Sequence, residues 1–380
     1  MKAAFAIIGG GIAGLTTAIA LKQKGIDSII YEAVPEIKAV GAGLVLAANA
    51  MKALRKIGIA EDVINAGALL PSFTIYDSQG RVINKTNSTI LGEKYGLDNL
   101  TIHRSALHKV LLNKIDHDCI YTGKKLIDAV QGADDIKLYF EDGSIQLARY
   151  LVAADGIHSA VRKKIMPKAV LRYAGYTCWR AVIDASSFNL NETSETWGTA
   201  RRFGLVPMKN NQLYWFACMN APVQNSRMKH FTKEDLLEQF SNFHYPIPQV
   251  IKATRNEQLI WNDIIDLKPV SQYAFDKILL IGDAAHATTP NLGQGACQAI
   301  EDAVILADEL LQNKDVTQAF RNFERRRIKR TREIVNASWK IGSVAQLESN
   351  FLAGIRNFIL RYLPSKINER QIRKLYEVDF

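Results

Sequence analysis

Cysteine is scarce: only Cys119, Cys178, Cys218 and Cys297 occur in 380 residues, and none forms a C-x-x-C pair. That spacing excludes a disulfide-stapled framework and suits reduced thiols in a cytoplasmic protein. Long apolar runs are missing too. No stretch reaches the roughly 18 residues that a membrane-spanning helix needs. There is no H-E-x-x-H and no Cys/His cluster, so no metal site is expected. Repeats, low-complexity linkers and nucleic-acid-binding modules are all absent, and no nucleic-acid partner is expected. What remains is a chain with 48% hydrophobic and 23% charged residues, suited to a globular fold of two closely associated domains. Its surplus is positive, with 48 Lys and Arg against 38 Asp and Glu and a net charge of +10. Such a balance favours an anionic partner: a phosphate-rich cofactor, an acidic substrate or a membrane surface.

The stretch AFAIIGGGIAGLTTAIALKQKGIDSIIYE, Ala4 to Glu32, admits two readings. Lys2, an apolar run and the small residues Ala18-Ile19-Ala20 outline a secretory signal peptide. The same residues spell strand, glycine turn, helix and second strand. Gly9, Gly11 and Gly14 form G-x-G-x-x-G around Ala13, Gly25 suits a helix stop, and Ser28–Tyr31 reads as a strand ending at Glu32. Gly9 permits the tight turn, Gly11 lets backbone approach a pyrophosphate, and Gly14 lets helix pack on strand. The helix N-terminus offers N–H groups to phosphates. Glu32 can accept hydrogen bonds from a ribose diol, which favours FAD or NAD over NADP. A signal peptide requires none of this order, so the nucleotide reading is adopted.

Further along, residues 40–58 read as a glycine loop, containing Gly43, that runs into a helix capped by Asn49, with Leu54 and Ile57 on its apolar side. Strands flank the turn Asp77–Gly80. Residues 103–115 form an amphipathic helix with Leu107, Val110, Leu111 and Ile115 on one side. A hairpin turns at Glu141-Asp-Gly143, followed by an apolar strand, Tyr150–Ala154. Residues 170–265 alternate and are rich in aromatics, which predicts a second sheet. Ile278–Ile281 is a buried strand leading to Gly282-Asp283, and the pattern is helical from about 296. Asp283 thus falls at a strand's C-terminal end, where α/β folds bind ligands. The helix opened by Gly293 and Gly295 could present its N-terminus to an anionic group.

Three segments now stand in order: Gly9–Gly14 with Glu32; Leu151-Val-Ala-Ala-Asp155-Gly156-Ile-His-Ser159-Ala-Val-Arg162; and Gly282-Asp283-Ala-Ala-His286-Ala-Thr-Thr-Pro290-Asn-Leu-Gly293-Gln-Gly295-Ala296. Together they resemble the FAD-dependent aromatic-ring monooxygenases of the para-hydroxybenzoate hydroxylase type. YAGYTCWRAV, RRFGLVP and TTPNLGQG look most similar to the branch containing urate hydroxylase. That branch can carry an aspartate where this chain has Asn291, and zeaxanthin epoxidase-like enzymes carry asparagine there, so epoxidation of an isoprenoid-type substrate stays open.

The resemblance implies an α/β fold: a Rossmann-like, GR2-type FAD-binding domain with an inserted, mostly antiparallel substrate sheet and C-terminal helices. Residues 1–70, 100–168 and 271–310 would bind FAD, 71–99 and 169–270 the substrate, and 311–380 would form the terminal helices. Gly9, Gly11, Ala13, Gly14 and Glu32 would hold the ADP side, Arg104 the phosphate or ribityl region, and Gly43 would also contact the cofactor. Asp155 would serve a turn shared by FAD and the pyridine nucleotide. Asp283 would bond the ribityl chain, and Pro290, Gly293, Gly295 and Ala296 would lie against the flavin ring. The implied reaction reduces FAD with NAD(P)H, adds O2 to give a flavin C4a-hydroperoxide and hydroxylates a small electron-rich aromatic or heteroaromatic ring. A reductase or dehydrogenase of the same superfamily, or a non-enzymatic flavin sensor, are the rivals.

The block 171–220 is the expected substrate wall. Alternation puts Cys178 with Arg180 and Tyr214 with Phe216 on shared faces. Arg202 is expected to hold an anionic substrate through its charge, and Tyr214 to orient it. His286 reads as structural rather than as a base. The basic run Arg321–Arg332 reads as a solvated helix face. Phe351–Leu363 is amphipathic and is expected to pack on the protein body, with peripheral membrane contact as the alternative.

Overall fold

Successive side chains of a strand face opposite sides, so a run that is apolar throughout needs cover on both faces. The computed structural model describes residues 3–36, 42–70, 72–87, 99–363 and 373–380. It places the apolar strand Ala3–Ile8 between Ser28–Tyr31 and Ile145–Ala153, parallel to both, with Phe5 to Ile8 buried. Ile278–Leu280 and Ile120–Tyr121 extend this parallel core on either side. The connecting helix Ile12–Gln23 is buried from Ile12 to Leu21, because the sheet covers one side and the helix Gly295–Gln312 the other. Gly25, at φ +70°, ends the connection. The hairpin turn at Glu141–Gly143 forms as expected. Its second arm and the apolar strand, however, are one element, Ile145–Ala153, whose start pairs with Ile136–Phe140 and whose end enters the parallel core.

The aromatic block forms a seven-stranded sheet in the order 260–267, 171–184, 212–220, 201–208, 193–197, 72–77, 82–87. Every pairing is antiparallel except 193–197 with 72–77. Odd positions such as Trp179, Phe203, Leu205 and Trp215 pack on the helices Lys233–Phe240 and Ile247–Ala253. The Phe203 and Trp215 rings stack at 5.1 Å. Even positions on the same strands, Cys178, Arg180, Arg202, Tyr214, Phe216 and Cys218, face a cavity. The alternation of a pleated strand separates a packed core from a chemical surface here.

Three local expectations are corrected. Gly43 opens a strand, Gly43–Leu46, paired with Leu100–His103, rather than sitting in a loop. Asn49 does not cap its helix: Ala47 holds that position, and Asn49 lies inside the helix, fully buried. The basic run is not wholly solvated. In the long helix Val316–Ala345, Phe323, Arg327, Thr331 and Ile334 share the buried stripe that helical spacing dictates, and Arg327 is drawn in by two buried carboxylates.

Glu192 clamps the edge of the second sheet. It accepts hydrogen bonds from Ser72, Thr74, Tyr76 and Lys85. Partial burial works against its charge, but these donors outweigh burial and bring the carboxyl down to about 2. A depressed carboxyl stabilises the fold above its unfolded value and loses that contribution as pH falls through the folded one. Glu192→Gln is therefore expected to lower stability at pH 7 by about 2–3 kcal/mol. It should also remove the loss that the parent shows between pH 4.5 and about 2, as read from urea midpoints across that range.

Candidate active site

The two sheets meet over a cavity of about 360 Å³. The glycines of the first turn divide their tasks. A Cβ on Gly9, at φ +104°, would lie 2.4 Å from the Ala154 carbonyl oxygen, and one on Gly14 would lie 1.9 Å from that of Gly9. Both serve close packing behind the cavity. A Cβ on Gly11 would meet nothing within 4 Å, because this glycine faces the cavity together with Ala13. Glu32 accepts the Gly10 and Val34 backbone N–H groups, the latter at 2.9 Å. His108, on the helix Arg104–Leu112, meets the Gly10 carbonyl at 2.7 Å and braces the turn from the far side.

Arg104 and Asp283 converge on the cavity from different elements. Arg104 begins its helix after the His103 cap. Asp283 follows Gly282 at the end of the strand Ile278–Leu280. Burial pushes the Asp283 carboxyl up, against the nearby His286, Arg104 and Arg162. Among the described residues, neither the Asp283 carboxylate nor the Arg104 guanidinium has a hydrogen-bond partner, so both are available to a ligand. Asp155 is placed differently. It does not line the cavity; Gly156 beside it does. Its Oδ2 accepts Ala160 N–H at 2.8 Å and Val161 N–H at 3.3 Å, while Oδ1 is buried without a partner. Buried Arg162 ties this turn to the third segment by donating to the Ile157 and Ala284 carbonyls, the latter at 2.9 Å.

The loop Thr288–Gly293 and the N-terminus of the helix Gly295–Gln312 form one wall. Gly293 takes a left-handed conformation at φ +63°, which turns the chain into that helix. Pro290, Gly293, Gly295 and Ala296 all face the cavity. Asn291 accepts from Tyr176 at 2.9 Å and from Arg202, and donates to Thr289 Oγ1 at 2.9 Å and the Ser338 carbonyl at 2.8 Å. Its amide thus fastens the loop to the long helix and to the second sheet.

Behind this wall lies a buried polar network. Asp302 accepts from Gly282 N–H at 2.8 Å and Arg327 Nε at 2.6 Å, and meets His286 Nε2 at 2.7 Å. Glu301 takes Arg327, Arg330 and Asn49. His286 is therefore positioned by a carboxylate within the core.

On the opposite wall, Arg202 and Tyr214 both face the cavity, but Arg202 is not a free cation. Its Nη1 meets buried Glu195 at 2.9 Å, and Nη2 bonds Asn291 and Tyr176, whose ring lies 5.2 Å from the guanidinium. The expected charge for an anionic substrate is already matched. Tyr214 and Phe216 form the aromatic surface, with ring centroids 6.0 Å apart. Two glycines make room for them. A Cβ on Gly204 would lie 2.1 Å from the Phe216 ring, and one on Gly43 would lie 2.6 Å from that of Tyr214. Cys178 and Cys218 face each other across adjacent strands. Burial raises both thiols, but at Cys178 the hydrogen bond with Cys218 and the Arg180 and Arg202 charges work against it and hold that thiol below its partner. Glu195, Tyr176, His108 and Arg162 were not singled out as site residues from sequence. Glu195 lies in T-S-E-T-W, where nothing local marks a buried carboxylate.

A chamber with a dinucleotide turn at one end and aromatic rings on a second sheet suits a flavin enzyme acting on a ring substrate. The FAD binding domain family model matches residues 2–338. The aurachin C monooxygenase/isomerase of Stigmatella aurantiaca is 37% identical over 97% of both chains. The 2-heptyl-3-hydroxy-4(1H)-quinolone synthase of Pseudomonas aeruginosa is 31% identical over 97% of both. The solved structure of Klebsiella pneumoniae HpxO complexed with FAD and uric acid superposes with TM-score 0.89 at 28% identity, covering 97% of this chain and 95% of that one. The chain belongs to the FAD-dependent aromatic-ring monooxygenases, and it is an enzyme that uses FAD with NAD(P)H as co-substrate to hydroxylate an aromatic or heteroaromatic ring. Among the described residues no helix is long and apolar enough to cross a membrane.

Proposed function

We propose that the substrate is a neutral 4-quinolone carrying an aliphatic substituent, hydroxylated at the ring carbon next to the carbonyl. The Arg202–Glu195 ion pair carries this reading. With its charge matched at 2.9 Å, Arg202 offers hydrogen bonding without the net charge that a carboxylate or urate anion would demand. A 4-quinolone is a vinylogous amide: the ring nitrogen feeds electrons to the carbon beside the carbonyl, the position an electrophilic oxygen attacks. One relative matched over nearly its whole length is named for a 3-hydroxy-4(1H)-quinolone product, which supports the same class.

In this reading Gly11, Ala13, Arg104, Asp283 and the Gly293–Ala296 backbone hold FAD, with Gly9, Gly14 and Glu32 shaping the turn. Bound FAD supplies hydride acceptance from NAD(P)H and oxygen activation. Tyr214 and Phe216 orient the ring, Gly43 keeps space for Tyr214, and Pro290 closes the wall opposite. The sheet around Arg202 excludes water from the reacting edge. Asp155 shapes the neighbouring turn rather than touching a ligand. Residues 1–70, 100–168 and 271–310 serve FAD, and 71–99 and 169–270 serve the substrate.

The test is NAD(P)H oxidation and O2 uptake by purified yellow protein offered 2-heptyl-4-quinolone, urate or salicylate. The quinolone is expected to stimulate both at least 10-fold and to yield its 3-hydroxy product. Stimulation by urate or salicylate without the quinolone would reject the assignment. Glu195→Gln offers a second check, because it releases the Arg202 charge. Salicylate should then bind about 10–100-fold more tightly by flavin difference spectra, as expected for a new charge-assisted pair. Unchanged salicylate affinity would mean that Glu195 does not set the charge preference.

A further inference from the structure

The helix Asn350–Arg361 reverses the expectation that it packs its apolar side on the protein. Phe351, Leu352, Ile355, Phe358, Ile359 and Tyr362 recur at i, i+1, i+4, i+7, i+8 and i+11, a single helical stripe. That stripe faces solvent: Phe351 is 75% exposed, Phe358 64% and Tyr362 69%. The inner face is firmly docked, with Leu360 against the cluster of Ile83, Trp197 and Ala345. Ala353 and Arg356 are buried there. Arg356 donates to the Ala345 carbonyl at 3.0 Å and the Gly198 carbonyl at 3.2 Å, and lies 5.2 Å from the Trp197 ring. Ser349 caps the start, and Arg361 donates to the Val82 carbonyl at 3.1 Å near the end. The exposure therefore belongs to an anchored helix. Given side-chain areas of about 150–250 Å² for aromatics, the stripe amounts to something on the order of 600 Å². Monomers rarely leave that much contiguous apolar surface exposed without a use.

We propose that this stripe docks the enzyme on an anionic lipid surface, lying in the interface without crossing it. Charge selects this occupant. The chain carries +10 overall, and residues 349–363 contain no Asp or Glu; of their two arginines Arg356 is buried on the inner face, and Arg361 is partly exposed beside Asp77 at 3.6 Å. Exposed Lys340 lies one turn before exposed Val344, whose carbonyl Arg356 holds. An exposed apolar stripe on a strongly basic chain matches the acyl boundary and headgroups of an anionic leaflet. A second copy fits less well. A stable dimer needs about 800 Å² from each partner, more than this stripe offers. Twelve residues are too few to span a bilayer. The inference rests on the helix alone, so the substrate assignment can fail without affecting it.

Flotation of the FAD-loaded protein with vesicles of phosphatidylglycerol and phosphatidylcholine, against phosphatidylcholine alone, tests it. The protein is expected to float with the anionic vesicles and to stay behind with the neutral ones. The double variant Phe351→Ser, Phe358→Ser should float at least 30-fold less, with its flavin-to-protein ratio and melting temperature unchanged. Three results would overturn the proposal: no flotation with anionic vesicles, equal flotation of the double variant, or a dimer in light scattering that the double variant converts to monomer.

Discussion

Arg327→Met is expected to destabilise the protein by about 3–5 kcal/mol, because it removes one partner from a buried ion cluster. Arg327 is fully enclosed and holds Asp302 through Nε at 2.6 Å, Glu301 through Nη1 and Gln298 through Nη2 at 2.7 Å. Methionine can fill much of the space but donates nothing. Arg330 still reaches Glu301, so that carboxylate keeps a cation. Asp302 would be left with the Gly282 N–H and His286. Both carboxyls are now held below the usual range: burial opposes their charge, but the cations outweigh it, with Arg327 first among them at Glu301 and His286 then Arg327 at Asp302. Without Arg327 the burial penalty is no longer offset, and one group must take up a proton or water must enter. Denaturant unfolding of the flavin-free protein measures the loss. A change below about 1 kcal/mol would mean that the cluster contributes little to stability.

Asp283→Ala should have the opposite profile: a large effect on cofactor and a small one on fold. Its carboxylate has no hydrogen-bond partner among the described residues, and it faces the cavity in a setting whose burial raises its proton affinity. Removing it deletes no contact that folding needs. A hydrogen bond from a cofactor hydroxyl to a carboxylate contributes about 1.5–3 kcal/mol, so FAD affinity should fall roughly 10–100-fold. The ratio of flavin absorbance to protein absorbance after gel filtration reads the loss, and the melting temperature of the flavin-free variant should match the parent. A variant that stays fully yellow and active would remove Asp283 from the flavin site. The pair of substitutions separates the two layers of this wall, since Asp283 faces the ligand and Arg327 supports the loop from behind.

How far the sequence carried can be judged residue by residue. The glycine turn was legible because its spacing is written in one short string between two strand patterns. A side chain at Gly9 or Gly14 would strike backbone within a few residues of chain or on the neighbouring strand. The two faces of the second sheet were legible because a strand alternates, so that Trp215 goes inward while Tyr214 and Phe216 go to the cavity. Asn49 misled because cap preference is a local tendency, and a buried glutamate far along the chain competed for its amide. Arg327 misled because a run of arginines looks the same whether one member meets water or two carboxylates. The stripe of Asn350–Arg361 was visible as a stripe, but its direction was not, because amphipathic spacing fixes which residues share a face and not which way that face points.

From its order of residues alone, this protein determined its class: a dinucleotide turn, an Asp283 loop and an aromatic strand block in a sequence that matches the FAD-dependent aromatic-ring monooxygenases. Contact between distant elements decided the rest. Glu195 matches the Arg202 charge across neighbouring strands, Arg327 enters the core to meet Glu301 and Asp302, and the helix Asn350–Arg361 turns its apolar side outward. The physical reason is one of range. Steric and periodic preferences act over a few residues and are written in the local string, whereas burial and charge pairing depend on which surfaces meet once the chain has folded.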